Sequence, residues 1–233
     1  MYQAIFFDLD GTLLPMDNDV FTQGYLKMLA KKMECHGYKP DELISAMWKG
    51  VGSMVKNDGS RNNYEAFFAT FSSIVGARAY NDIPLFDKFY KEEFKDAIIF
   101  SSPSPLAKEA VELSKKGGRK VVLATNPFFP EVAIRERLRW AGLEYEDFDY
   151  VTHYENSCYC KPNPKYYLEI AEKLSLDEKS CLMVGNNTYE DIFAAQRVGM
   201  DTYLLTDYII SHDNPPKTKQ GSFDELITFL KSI

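Results

Sequence analysis

The sequence lacks the long apolar runs of a membrane protein. No stretch of its 233 residues approaches the ~20 consecutive apolar residues that a membrane-spanning helix needs. The amino end also lacks a basic segment followed by an apolar one, the pattern of a secretory signal, so we expect a cytoplasmic protein. The hydrophobic fraction of 45% is nevertheless ample for a globular core.

Cysteine and positive charge are both scarce. The Cys158–Cys160 pair has no second pair or histidine cluster at zinc spacing, and Cys35 and Cys181 stand alone. We therefore expect free thiols and no zinc site. The net charge of −7 argues against a nucleic-acid-binding protein, which normally carries a basic excess. We predict no nucleic-acid or membrane partner. A phosphorylated small molecule stays possible, because a bound cation can reverse the local field.

What the chain does have is a pair of carboxylates at the end of a predicted strand. Residues 4–7 are a short apolar run without helical spacing, typical of a strand buried in a parallel sheet. Asp8 and Asp10 follow two residues apart, so both side chains point the same way from an extended chain. Two like charges this close need a cation or a proton, and oxygen ligands favour Mg²⁺. The alternative is an ordinary turn, because Asp and Gly11 both favour turns.

A helical segment separates this strand from the rest of the chain. Between about residues 16 and 96, apolar residues recur at i, i+4, i+7 and i+8, the spacing of amphipathic helices. We predict four helices and an all-helical domain at 16–96. The remaining core would comprise residues 1–15 and 97–233.

After residue 97, predicted strands alternate with predicted helices. The strands are expected at 121–124, 150–153, 181–184 and 202–205. This alternation indicates an α/β fold with a doubly wound, Rossmann-like parallel sheet. Ligands bind beyond the carboxyl ends of such strands. The polar residues expected at or near those ends are Asp8, Asp10, Thr125, Asn126, Lys161 and Asn186. Their convergence predicts one site at this edge of the sheet.

Four motifs, in this order, resemble those of the haloacid dehalogenase-like superfamily of phosphohydrolases. They are DLDGTL at 8–13, ATN at 124–126, KPNP at 161–164 and the segment 184–191. The resemblance covers nearly the whole core. It covers the helical segment only as an insertion directly after the first motif, the position of the family's C1-type cap.

The resemblance implies a phosphatase that acts on a small phosphorylated metabolite, a phosphate monoester. Asp8 would form an aspartyl-phosphate, and Asp10 would serve as general acid and base. Thr125 and Asn126 would hold a phosphate oxygen, and Lys161 would neutralise the phosphate and the attacking carboxylate. The carboxylate at Asp10 favours phosphate over halide chemistry, because a halide leaving group needs no acid.

The resemblance also implies a Mg²⁺ site. Its ligands would be Asp8, the backbone carbonyl of Asp10, Asn186 and Asp191. The family usually has Gly-Asp where this chain has Gly-Asn at 185–186. An amide oxygen still binds a hard cation but carries no charge, so we expect weaker Mg²⁺ binding. Glu190 is adjacent to Asp191, but neighbouring residues on a helix do not share a face.

Structural alternatives exist for these residues. Thr125 and Asn126 could cap a turn, Lys161 could be a solvated loop cation, and Thr188 with Asp191 fits a capping box. Three functional alternatives also stay open. They are a non-catalytic phosphate-ligand sensor or partner-binding module on the same fold, a phosphonatase and a phosphomutase.

Overall fold

Six parallel strands form the sheet of the computed structural model, which describes residues 2–233. They are β1 (Ala4–Phe7), β2 (Lys120–Leu123), β3 (Tyr150–Val151), β4 (Cys181–Gly185), β5 (Asp201–Leu205) and β6 (Lys219–Gly221). Their spatial order is β3-β2-β1-β4-β5-β6, and every neighbouring pair is parallel. The fully buried β1 therefore lies between β2 and β4.

Helices cover both faces of the sheet. Those of the core are α6 (Leu106–Ser114), α7 (Glu131–Trp140), α8 (Lys165–Leu174), α9 (Ala194–Gln196) and α10 (Phe223–Ser232). Ile5 and Phe7 pack into the same apolar cluster as residues of α6, α7 and α10. Ala4 and Phe6 point to the opposite face, where they pack with residues of α8 and α9. The predicted doubly wound α/β fold is confirmed.

The segment between β1 and α6 is helical, as predicted. It contains α1 (Asn18–Glu34), α2 (Pro40–Val55), α3 (Asn63–Val75), α4 (Arg78–Asn81) and α5 (Ile83–Glu92), followed by a 3₁₀ helix at Phe94–Phe100. The four expected helices correspond to α1, α2, α3 and α5, and the single-turn α4 was not anticipated. The boundary expected at 96/97 falls inside the 3₁₀ helix, and the division into two domains stays a prediction.

The main differences between the predicted strands and the structure concern β6 and β3, whereas the bounds of β2, β4 and β5 differ by one residue. β6 was not predicted, because Lys-Gln-Gly has no apolar pattern and its polar side chains suit an edge strand. β3 ends at Val151 instead of residue 153, and the Thr152 hydroxyl donates to the Thr125 carbonyl at 2.7 Å. Within residues 2–233 no helix is long and apolar enough to cross a membrane.

Candidate active site

A buried lysine lies between two carboxylates beyond the ends of β1 and β4. Lys161 Nζ is 2.8 Å from Asp8 Oδ1 and 2.6 Å from Asp191 Oδ1. Lys161 and Asp191 are each 1% exposed, and Asp8 is 7% exposed. The Asp8 amide continues the sheet ladder by donating to the Val184 carbonyl at 2.9 Å. Backbone pairing of β1 with β4 therefore places Asp8 next to the segment that carries Asp191.

Burial shifts the proton affinity of these groups in opposing directions. For Lys161, burial disfavours the charged form, but Asp191 and Asp8 outweigh it and raise the pKa well above its ordinary value. Burial raises the pKa of Asp191, and the Lys161 ammonium offsets only part of this rise. The Asp8–Lys161–Asp191 cluster is held together by charge in a site with little solvent.

Asp10 does not point to Lys161 but to a residue that sequence analysis did not single out. Its carboxylate forms an ion pair with Arg137, which is 1% exposed and packs over the Phe129 ring at 4.1 Å. Asp10 Oδ1 and Arg137 Nε and Nη2 have no hydrogen-bond partner among the described residues. Burial raises the pKa of Asp10 despite the opposing Arg137 charge. The sequence did contain a feature that could have identified Arg137, because this cation falls on the apolar face of α7, between Ile134 and Leu138.

Thr125 and Asn126 follow β2 and line the same cavity as Asp8. The Thr125 hydroxyl makes no hydrogen bond to another described residue. The Asn126 side chain is already engaged. It donates to Glu190 Oε2 at 3.0 Å and accepts from the Lys161 amide at 3.2 Å. Asn126 therefore positions the loop that carries Lys161, and a phosphate contact would fall to its backbone.

The segment after β4 begins one residue earlier than predicted. Asn187, not Thr188, caps the π-helical segment Thr188–Phe193, because its side chain accepts from the amides of Tyr189 and Glu190. Asp191 Oδ2 then accepts from the Asn187 amide at 2.9 Å, which leaves Oδ1 for Lys161. The structural alternative of a capping box formed by Thr188 and Asp191 is wrong, because Asn187 is the capping residue.

Glu190 also differs from expectation. It lines the same cavity as Asp191, although the two are neighbours in sequence, because the cavity extends over the first turn of the segment. Burial raises the pKa of its carboxyl.

The oxygen atoms at this edge suit a hard cation. Asn186 donates through Nδ2 to the Tyr208 carbonyl, which turns Oδ1 towards Thr12. The Thr12 hydroxyl is 3.3 Å from both Asn186 Oδ1 and Asp8 Oδ2, so these two oxygens face one small region. A Cβ at Gly185 would be 2.3 Å from Asp191 Cγ, so glycine is what allows this carboxylate to approach.

The oxygen atoms that could bind a cation here carry little negative charge. Among residues 2–233 no three His, Cys, Asp or Glu side chains are grouped as a metal site. Asp10 is turned to Arg137, and an amide occupies position 186. Asp8, Asp191, Asn186 Oδ1 and the Asp10 carbonyl would offer Mg²⁺ the oxygen ligands that it prefers, and only two of these ligands are carboxylates.

The carboxylates of this site and the polar residues after β2 and β4 line one cavity of about 250 Å³. Its core side is formed by residues after β1, β2 and β4, and its other side by α1 and α2. The lining residues used below are Asp8, Asp10, Asn18, Phe21, Thr22, Tyr25, Leu26, Met47, Trp48, Val51, Glu190 and Asp191. Lys161 lies behind Asp8 and Asp191.

Comparison with known proteins agrees with this architecture. The family model of haloacid dehalogenase-like hydrolases matches residues 2–199, and the chain belongs to that family. The predictions of the family and of a hydrolytic enzyme are therefore confirmed.

Among the similar proteins, a phosphoglycolate phosphatase of Aquifex aeolicus is 26% identical over 207 residues, which cover 87% of this chain and 84% of that protein. A glyceraldehyde 3-phosphate phosphatase of Methanopyrus kandleri is 26% identical over 223 residues, which cover 88% of this chain and 84% of the relative. The crystal structure of an HAD phosphatase from Thermococcus onnurineus superposes with a TM-score of 0.61 and 22% identity. That alignment covers 98% of this chain and 97% of the other, and it shows the shared fold.

Proposed function

We propose that the protein is a Mg²⁺-dependent phosphatase that hydrolyses a small phosphate monoester through an aspartyl-phosphate on Asp8. The observation that carries this proposal is the buried Asp8–Lys161–Asp191 cluster, which opens onto the cavity beneath α1 and α2. Relatives described as phosphatases of small phosphorylated metabolites support it.

Asp8 would attack the phosphorus atom. Its carboxylate would form the bond to phosphorus as the ester bond to the leaving oxygen breaks, while Lys161 holds the carboxylate in place through Oδ1. The Lys161 ammonium would offset charge on the phosphoryl oxygens, and the Thr125 hydroxyl would donate to one of them. Mg²⁺ held by Asp8, Asp191, Asn186 and the Asp10 carbonyl would supply further positive charge when bound.

Asp10 would move the protons. It would protonate the leaving oxygen, then remove a proton from the water that hydrolyses the aspartyl-phosphate. Burial favours its protonated form, as the first step requires. Arg137 would hold the Asp10 carboxyl in place, since it is the ionic partner of that group.

The test is turnover of an aryl phosphate with excess Mg²⁺. We expect wild-type activity and its loss in Asp8→Asn, because an amide is not a nucleophile for this reaction. Asp224→Asn, at an exposed position on α10, is the matched control and should keep activity. Absence of turnover across a broad panel of phosphate esters would overturn the proposal.

A non-catalytic phosphate sensor is the second candidate, and the uncharged Asn186 is the observation that favours it. It would bind inorganic phosphate in calorimetry without turning over any ester. Measurable turnover that depends on Asp8 rejects this candidate.

A further inference from the structure

The two sides of the cavity differ in chemistry. The core side carries four carboxylates, those of Asp8, Asp10, Glu190 and Asp191. The side formed by α1 and α2 is largely apolar. Its apolar members are Phe21, Tyr25, Leu26, Met47, Trp48 and Val51. A phosphate bound at Asp8 would therefore direct its ester group towards the apolar side.

The two cations beside the cavity, Lys161 and Arg137, are each 1% exposed and already paired with carboxylates. In the described part of the chain, residues 2–233, none of the lining side chains is Lys, Arg or His. Lys161 is already bonded to Asp8 and Asp191. A second anionic group on the ester would leave water without meeting a cation among the described lining residues. A desolvated, unpaired charge is strongly disfavoured.

The apolar side offers specific contacts to an uncharged group. Trp48 is 53% exposed although it is large and apolar, and it presents its indole ring at the cavity wall with Met47 and Val51. Exposed aromatic surface in a concave site is typical of ligand contact. Asn18 and Thr22, one turn apart on α1, add uncharged polar groups. The buried side-chain oxygen of Asn18 has no partner among the described residues and could accept from a hydroxyl.

We propose that the preferred substrate is a phosphate monoester with an uncharged leaving group, one face of which is apolar or aromatic and packs on Trp48. This inference rests on the proposed phosphatase function. The cavity of about 250 Å³ lies just below the range of about 300–1,000 Å³ that is typical of small-molecule sites, so it suits a small leaving group such as a sugar or a single ring. Esters whose alcohol part carries a carboxylate are disfavoured.

The test compares two esters that differ only in charge. Para-carbamoylbenzyl phosphate and para-carboxybenzyl phosphate have nearly the same shape, and the charge is remote from the leaving oxygen. We expect wild-type kcat/KM to be at least about tenfold higher for the carbamoyl ester, because the carboxylate of the other ester would lose water without gaining an ionic partner. Equal or higher kcat/KM for the carboxylate would overturn the inference.

Binding to Asp8→Asn separates this inference from the proposed function. The variant should keep both esters intact, so calorimetry with Mg²⁺ reports the preference of the cavity without turnover. We expect tighter binding of the carbamoyl ester. Tighter binding of the carboxylate, or no binding of either ester, overturns the inference even if wild type hydrolyses other esters. Absence of all turnover together with the expected binding order overturns the proposed function alone.

A matched pair of variants tests the position of the leaving group. Lysine and methionine have similar lengths, and residue 48 is exposed enough to accept both. Trp48→Lys should raise affinity for the carboxylate relative to the carbamoyl ester, whereas Trp48→Met should leave the ratio near the wild-type value. An unchanged ratio in Trp48→Lys would show that the leaving group does not lie against residue 48.

Discussion

Replacing Arg137 with methionine tests the buried pair beside the cavity. The substitution keeps most of the side-chain volume but leaves the Asp10 carboxylate buried without its ionic partner. Breaking such a pair costs about 3–5 kcal/mol. Arg137 also has two buried nitrogens without hydrogen-bond partners among the described residues. Removing these two donors offsets about 2 kcal/mol of that loss in the free energy of unfolding. We therefore expect Arg137→Met to lower the free energy of unfolding by about 2 kcal/mol at pH 8.

The same reasoning predicts the pH dependence of this loss. Burial raises the pKa of Asp10, and Arg137 opposes that rise, so the variant should have a still higher pKa at Asp10. A carboxyl whose folded-state pKa is raised destabilises the fold as pH rises through that pKa, and protonation below it removes the cost. The loss in Arg137→Met should therefore be smaller at pH 5 than at pH 8.

Urea denaturation of wild type and variant at the two pH values measures both effects. Arg139→Met is the matched control, because Arg139 is on the same helix, is exposed and forms a surface ion pair with Glu136. Exposed ion pairs contribute about 0–1 kcal/mol. If Arg137→Met is as stable as Arg139→Met at pH 8, or if its loss of stability does not depend on pH, the assigned role of the Arg137–Asp10 pair is wrong.

We also expect kcat of Arg137→Met to fall about 10²-fold, because Asp10 loses its fixed position.

Two further predictions concern residues around Asp191. Asn186→Asp should lower the Kd for Mg²⁺ about tenfold in calorimetry, because it adds a charge to the donor set, and unchanged or weaker affinity would place residue 186 outside the metal shell. Gly185→Ala should lower unfolding stability by about 1–3 kcal/mol, since its Cβ would meet Asp191 at 2.3 Å. Gly52→Ala is the control in the interior of α2, where a Cβ has open space, and it should stabilise by about 0.5–1 kcal/mol in urea.

Much of the fold was predictable because its signals are local. The apolar run at 4–7 and the run that forms β4 need only short-range patterns to be recognised as buried strands, and parallel pairing then brings their carboxyl ends together. β6 was not predicted because it lacks such a local pattern. Its three residues carry no apolar pattern, and only pairing with β5 makes them a strand.

The candidate active site likewise contains residues that local motifs predict and residues that only tertiary contacts reveal. Asp8 and Lys161 were predicted from motifs, and their 2.8 Å contact joins positions 153 residues apart. Arg137 carried only a weak local signal, a cation on the apolar face of a helix. Its pairing with Asp10 spans 127 residues.

By itself, the sequence determined the order of strands and helices and the residue types at the carboxyl edge of the sheet, because periodicity and turn chemistry act over a few residues. Only the tertiary structure decided that Asp10 pairs with Arg137 and that Asn126 holds the Lys161 loop. It also decided that the cavity wall formed by α1 and α2 is largely apolar and has no Lys, Arg or His among its described residues. These outcomes depend on burial and on the packing of segments that are distant in sequence. Burial and packing determine the free energy of a charged side chain, and no local sequence pattern specifies them.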